Sequence, residues 1–232
     1  MKKAAHVKTR FNPSFRKDFF DKIDEPEKAY WLGYLYNNAR FDEDGYFYFT
    51  RNRKSDFDAL VRFLTDVRLS THLYKNQTVY TDDGPNYTYY IAIQCKEFTD
   101  GFYKYFPHGD AGKKQTDIYP NISPDMNRHF IRGLYDSLSS VIRTKDGDTK
   151  RIQLRINGSY GMLRKIRSIL DEELEFKSYV AKASRYSRFD NMLVAQSSVK
   201  LPDFILYLYD GVKGYNTYKY EQLVALFDNL YG

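Results

Sequence analysis

Two apolar stretches constrain this chain more than any other feature. The first is Tyr30-Trp31-Leu32-Gly33-Tyr34-Leu35-Tyr36-Asn37-Asn38-Ala39-Arg40-Phe41, and the second is His129-Phe130-Ile131-Arg132-Gly133-Leu134-Tyr135-Asp136-Ser137-Leu138-Ser139-Ser140-Val141. Each is a helical run with a glycine inside it, and each ends in small polar residues before the pattern turns strand-like. Gly33 and Gly133 lie 100 residues apart. A repeat of that period implies two similar halves, each carrying one such helix. A mid-helix glycine costs up to ~1 kcal/mol relative to alanine. That cost makes sense where another helix comes close, so Gly33 and Gly133 are expected at a helix–helix interface.

The remaining elements fall in the same order in both halves. Asp24-Glu25-Pro26-Glu27 reads as a helix start, with Asp24 as N-cap and Glu27 reaching back to it. After Asn38 the pattern alternates, with a turn at Asp42-Glu43-Asp44-Gly45 before a strand from Tyr46 to Arg51. Ser55 is expected to cap a helix running to Val67, followed by strands Leu73–Tyr80 and Tyr87–Lys96 and a short helix Thr99–Phe106. In the second half Ser123-Pro124 opens the motif helix, and a turn at Asp146-Gly147 joins strands Ser139–Thr144 and Arg151–Asn157. Ser159 caps a helix to Glu173, strands Phe176–Ala181 and Met192–Lys200 follow, and helices Pro202–Leu208 and Lys219–Asn229 end the chain. The domains expected are a basic N-terminal arm over 1–22, a first repeat over 23–107, a linker over 108–120 and a second repeat over 121–232. Hairpin strands with helices segregated to one side give an α+β fold of antiparallel sheets.

Composition narrows the functional classes. A chain of 232 residues with a net charge of +6 suggests a polyanionic partner. Its 23 tyrosines suit base stacking and phosphate contacts as well as strand cores. Cys95 is the only cysteine, which excludes an internal disulfide and a cysteine-based zinc site and suits a reducing, cytoplasmic compartment. The histidines at 6, 72, 108 and 129 lack ligand spacing, so neither a structural metal nor any other cofactor is expected. No apolar run approaches the ~18 residues of a membrane span.

Both glycine-centred stretches resemble the motif of the LAGLIDADG homing endonucleases. The tail does too: Phe204 to Tyr209 followed by Tyr218-Lys219-Tyr220-Glu221 is similar to the helix pair that closes those proteins. The resemblance implies two αββαββα repeats related by a pseudo-twofold axis, with their sheets forming a concave saddle over the DNA major groove. It also implies one acidic residue near the end of each motif helix, the two together holding divalent metal at the scissile phosphates. This chain departs at those positions. They read Asn38 and Leu138, and the glycines that would follow read Ala39 and Ser139. Asp136 lies two residues before Leu138, about 200° around the helix, and the resemblance makes it structural. The expectation is therefore a protein that has lost metal-dependent cleavage and is not an enzyme.

The binding residues are sought on strands. Alternation through Arg151-Ile152-Gln153-Leu154-Arg155-Ile156 turns Ile152, Leu154 and Ile156 toward the helices and Arg151, Gln153 and Arg155 to the open face. Arginine pairs with guanine O6/N7 and glutamine with adenine N6/N7, which is the chemistry of base-edge readout. Alone, such a strand is an ordinary solvated polar face; the resemblance places it on the DNA-facing side. The counterpart in the first half brings Arg51, Arg53 and Lys54, with Gln94, Lys96, Gln196 and Lys200 as additions on the last strand of each sheet. The leading expectation is sequence-specific binding of duplex DNA in a regulatory role, as a transcription regulator or promoter-recognition factor. An RNA-binding maturase, a residual homing endonuclease, and a protein-binding inhibitor or subunit are the alternatives. Two fused repeats point to a monomer.

Overall fold

The computed structural model describes residues 13–36, 38–41, 46–51, 57–70, 75–81, 84–106, 117–146, 149–183, 189–195, 200–212 and 216–231. Among them the elements run α1 (Pro26–Leu35), β1 (Ala39–Phe41), β2 (Tyr46–Arg51), α2 (Phe57–Asp66), β3 (Lys75–Thr81), β4 (Gly84–Gln94) and α3 (Lys96–Tyr103). The second half continues with a 3-10 turn (Pro124–Met126), α4 (Asn127–Leu138), β5 (Ser139–Asp146), β6 (Thr149–Gly158), α5 (Tyr160–Leu174), β7 (Ser178–Lys182), β8 (Asn191–Ala195), α6 (Leu201–Tyr209) and α7 (Thr217–Tyr231). The order repeats, and both sheets are antiparallel, as the α+β reading expects. Strands run β1-β2-β4-β3 in one sheet and β5-β6-β8-β7 in the other.

The chain forms two compact units that do not coincide with the sequence halves. One is built from residues up to Lys22 and from Asn38–Lys104; the other takes Ile23–Asn37 and Tyr105–Gly232. The helix α1 thus joins the unit that contains α4. In the first unit Phe47 pairs with Ile93 and Phe49 with Ile91 across β2 and β4, all four fully buried. They meet an aromatic cluster from the helices, with Phe47 5.3 Å from Phe98 edge-on and Phe49 5.7 Å from Phe63. Residues 13–22 belong to this core rather than to a free arm. Phe20 packs at 5.1 Å from Phe98 and 5.2 Å from Phe102, and Arg16 N–H donates to the Val67 carbonyl at 3.0 Å. Burial of Phe15, Phe19 and Phe20 outweighs the solvation of the neighbouring cations, whose stems reach water from a packed turn. Residues 1–12, with Lys2, Lys3, Lys8 and Arg10, lie outside the described residues.

The second unit is organised by α1 against α4. From Lys28 to Leu35 every residue of α1 is buried, which marks a helix enclosed on all sides. A Cβ placed on Gly33 would collide with the Phe130 carbonyl oxygen and lie 3.0 Å from Leu134 N. A Cβ on Gly133 would collide with the Tyr30 carbonyl oxygen and lie 2.8 Å from Tyr34 N. Each glycine therefore meets the carbonyl three residues before the other glycine. This reciprocal contact brings two backbones together as the repeat implied, at a separation only Cα hydrogens tolerate.

Capping differs from the expectation. Glu25, not Asp24, is the N-cap of α1 and makes no side-chain cap bond. Asp24 instead accepts from Lys28 Nζ at 2.8 Å, with Glu25 3.2 Å from the same ammonium. The buried lysine needs those charge-assisted bonds more than the helix end needs a cap. Ser123 likewise precedes a 3-10 turn, not α4 itself. Ser159 does precede α5, but its hydroxyl pairs with Tyr36 Oη at 3.0 Å, and Asp117 Oδ1 accepts from Gly161 N in its place.

Candidate nucleic-acid interface

Strand β6 has the predicted two-sided character. Ile152, Leu154 and Ile156 are buried on the side of α4 and α5, whose apolar residues include Leu134, Met162, Leu163 and Ile166. The register puts Arg155 between Ser140 on β5 and Val194 on β8, and Val194 opposite Tyr179 on β7. Ser140, Arg155, Val194 and Tyr179 thus form one row across the face that turns away from the helices. Ser140 and Tyr179 are exposed, Arg155 is half-buried, and Val194 is buried beneath them.

Gln153 departs from the open-face expectation. It is 7 % exposed, and its Oε1 accepts a hydrogen bond from Arg155 Nε at 2.6 Å. Period-two alternation identifies its face correctly but says nothing about cover from neighbouring side chains. The bond fixes the guanidinium against the amide, so the two residues act as one oriented pair. Such pre-orientation lowers the entropy lost when a planar guanidinium meets a base edge. Arg151 lies at the start of the same strand on the same parity, across from Thr144.

In the first unit Gln94 is exposed and pairs with Tyr46, on the parity of Tyr48 and Thr50. Arg51 ends β2, with Tyr89 of β4 as its register partner. Arg53, Lys54 and Gln196 fall outside the described residues, as do Asp42 and Asp44. Lys96 is not on a strand: it opens α3 and binds Asp100 at 2.5 Å, one helical turn on. Lys200 also leaves its predicted strand, since β8 ends at Ala195 and Lys200 stands at the N-cap of α6, 3.3 Å from Asp203 and 4.0 Å from Glu175.

The end of α4 has its own geometry. Leu138 is buried, and Asn38 is buried too. The backbone carbonyls there are taken by protein donors. Asn157 Nδ2 donates to the Leu138 carbonyl at 3.1 Å, and Lys219 Nζ donates to the Ser139 carbonyl at 2.5 Å. A cation at a helix C-terminus is favourably placed. Lys219 was not singled out from the sequence as a site residue, although the Tyr218-Lys219-Tyr220-Glu221 tail was the signal for it. Tyr179 was missed as well.

Asp136 is buried at the centre of a hydrogen-bond network. Its carboxylate accepts from Tyr209 Oη at 2.5 Å, Tyr30 Oη at 2.9 Å and Asn216 N at 3.0 Å, while the Arg132 guanidinium lies 4.9 Å over the Tyr30 ring. Burial raises its carboxyl above the ordinary value, and the donors and Arg132 offset part of that rise. Nearby His129 is pushed down to about 4 by burial, with Arg132 and Arg128 acting in the same direction and Asp125 against it. Among the described residues no three His, Cys, Asp or Glu side chains converge as a metal site, and no helix is long and apolar enough to cross a membrane.

No family model matches the sequence. None of the curated proteins matches it either. Solved structures do match the fold. The homing endonuclease I-WcaI bound to its DNA recognition sequence superposes with a TM-score of 0.56 at 11 % identity, over 91 % of this chain and 95 % of that one. The LAGLIDADG homing endonuclease I-GzeII in complex with its DNA target gives 0.52 at 10 % identity, over 89 % and 90 %. Full-length DUF199/WhiA from Thermatoga maritima gives 0.51 at 12 % identity over 90 % of this chain, which spans 66 % of that protein's length. The chain has the fold of the LAGLIDADG homing endonucleases.

Proposed function

We propose that this protein binds duplex DNA sequence-specifically through the open face of its sheets, does not cleave it, and serves a regulatory role such as transcriptional control. The observation that carries the reading is the Gln153–Arg155 pair, an oriented guanidinium in the same cross-strand row as the exposed Tyr179 and Ser140. Arginine offers the bidentate donor geometry that guanine accepts, while tyrosine and serine hydroxyls suit phosphate oxygens. Two neighbours in fold, I-WcaI and I-GzeII, are themselves bound to DNA, which supports DNA as the ligand class.

The end of α4 supports the loss of cleavage. Divalent metal at phosphates needs anionic oxygen ligands. Leu138 has none, Asn38 brings at most a neutral carbonyl, and both oxygens of Asp136 are engaged by Tyr30, Tyr209 and Asn216. These residues do not suit a divalent metal, and the Lys219 ammonium sits against the Ser139 carbonyl.

A competition gel shift against labelled duplex, with unlabelled duplex DNA, structured RNA and heparin as competitors, tests the ligand class. Displacement by duplex at the lowest concentration is expected. Preferential displacement by structured RNA would favour the maturase alternative, and failure to shift any duplex would favour a protein partner. Incubating a random-sequence plasmid library with Mg²⁺ or Mn²⁺ should leave it uncut. Specific double-strand breaks would overturn the non-cleaving reading.

A further inference from the structure

The outward face of α5 carries charge that the fold does not use. Tyr160, Arg164 and Arg167 recur at i, i+4 and i+7 and share one stripe, with Lys165 on its flank. All four are exposed, whereas Met162, Leu163, Ile166, Ile169 and Leu170 on the other side are buried against the sheet. None of the three cations forms an ion pair among the described residues. Asp171 is four residues after Arg167 and well placed to pair with it, yet it binds Lys177 at 2.5 Å. Glu172, the next acid, accepts from Ser168 Oγ at 2.6 Å. The arrangement also runs against the helix dipole, with cations in the second turn and the acids of α5 at its C-terminal end. Helix stability therefore does not account for this pattern.

Because α5 lies on the sheet side that Leu154 and Ile156 face, its basic stripe and the Arg155 row are on opposite sides of the sheet. We propose that the outer face of α5 is a second nucleic-acid contact, which holds the phosphate backbone of a duplex DNA segment other than the one on the open face. The stripe rests on its own residues; only its being a second contact rests on the sheet-face reading. A convex helix has no groove to enclose a single strand, and its one aromatic ring, Tyr160, is already covered by the Arg164 guanidinium at 5.7 Å. What it presents is a straight row of cations, with Arg164 and Arg167 separated by about 4.5 Å of helix rise. That rise is comparable with the 3.4 Å per phosphate of one duplex strand. The contact is one of charge and would be blind to sequence.

Stoichiometry tests the proposal. The whole protein is titrated with a short duplex at low salt, and the mass of the complex is followed by sedimentation. Wild type should bind two duplexes and the R164A/K165A/R167A variant one. The second step should weaken on a log–log salt plot with a slope of about −2.7, roughly 0.9 for each cation. Alanines at exposed helical positions leave the buried face intact, so the thermal melt of the variant should match wild type. One duplex on both wild type and the variant, or two on the variant, would overturn the proposal, as would a second step that takes an RNA hairpin but no duplex. Failure of the sheet-face reading looks different: wild type would bind a single duplex without sequence preference, and the triple variant would bind none.

Discussion

Replacing Gly133 by alanine tests the helix interface at its tightest point. The methyl would collide with the Tyr30 carbonyl oxygen and lie 2.8 Å from Tyr34 N and 2.9 Å from the Tyr30 carbonyl carbon. These neighbours are backbone, so no rotamer change relieves the overlap; α1 and α4 must move apart by roughly an ångström. A gap of 0.5–1 Å already forfeits about a quarter to a half of the dispersion well for every atom pair it opens. The atoms involved include those of Trp31, Tyr34, Phe130 and Leu134, all fully buried. Overpacking of this kind costs about 1–3 kcal/mol, or more against rigid backbone, while alanine's better helix propensity returns up to ~1 kcal/mol. We expect a net loss of about 2–3 kcal/mol, measured as a shift in urea midpoint at constant m. Gly33→Ala should cost a similar amount through Phe130. The double variant should cost less than the sum, since the first methyl has already separated the helices. A loss below about 0.5 kcal/mol for Gly133→Ala would refute the close-approach reasoning, and strict additivity would refute the reciprocity.

Three further outcomes follow from the buried polar groups. Asp136→Ala leaves two buried hydroxyls and the Asn216 amide without their acceptor, and urea denaturation should show a loss of about 3–5 kcal/mol. Tyr209→Phe, which removes one charge-assisted bond, should cost about 1.5–3 kcal/mol in the same assay. His129 is held neutral in the fold at a value of about 4, below its ordinary 6.5, so the unfolded chain binds the extra proton. Its contribution is fully present above about pH 6.5 and is lost as pH falls toward 4; melts across that window should show the decline, and His129→Gln should flatten it.

Much of this architecture could be read from the chain because its signals are local. The repeat is legible from Gly33 and Gly133, and the two-sided strand from Ile152, Leu154 and Ile156. Where the reading failed, the deciding term was not local. In Tyr46-Phe47-Tyr48-Phe49 both parities are aromatic, so the strand pattern does not reveal that Phe47 and Phe49 take the buried side. Lys96 and Lys200 continue an apparent alternation past Gln94 and Ala195, but each begins a helix instead. Phe15, Phe19 and Phe20 lie among basic residues that look like a solvated arm, and only the partner ring of Phe98, some eighty residues away, makes them core. The candidate site divides the same way. Arg155 and Gln153 were found by alternation, whereas Tyr179 reaches their row through the pairing of β7 with β8, and Lys219 reaches Ser139 across 80 residues.

The most direct test of base readout is a selection from random duplexes, run in parallel for wild type and Arg155→Ala. Each bidentate base contact discriminates by about 1–3 kcal/mol. Wild type should therefore enrich a defined sequence, and Arg155→Ala should lose preference at one or two positions while its affinity for random DNA changes little. Leu154→Ala, whose side chain faces the core, should lower stability without altering the enriched sequence. If wild type enriches nothing, or if Arg155→Ala enriches the same sequence with undiminished preference, the Arg155 face does not read bases.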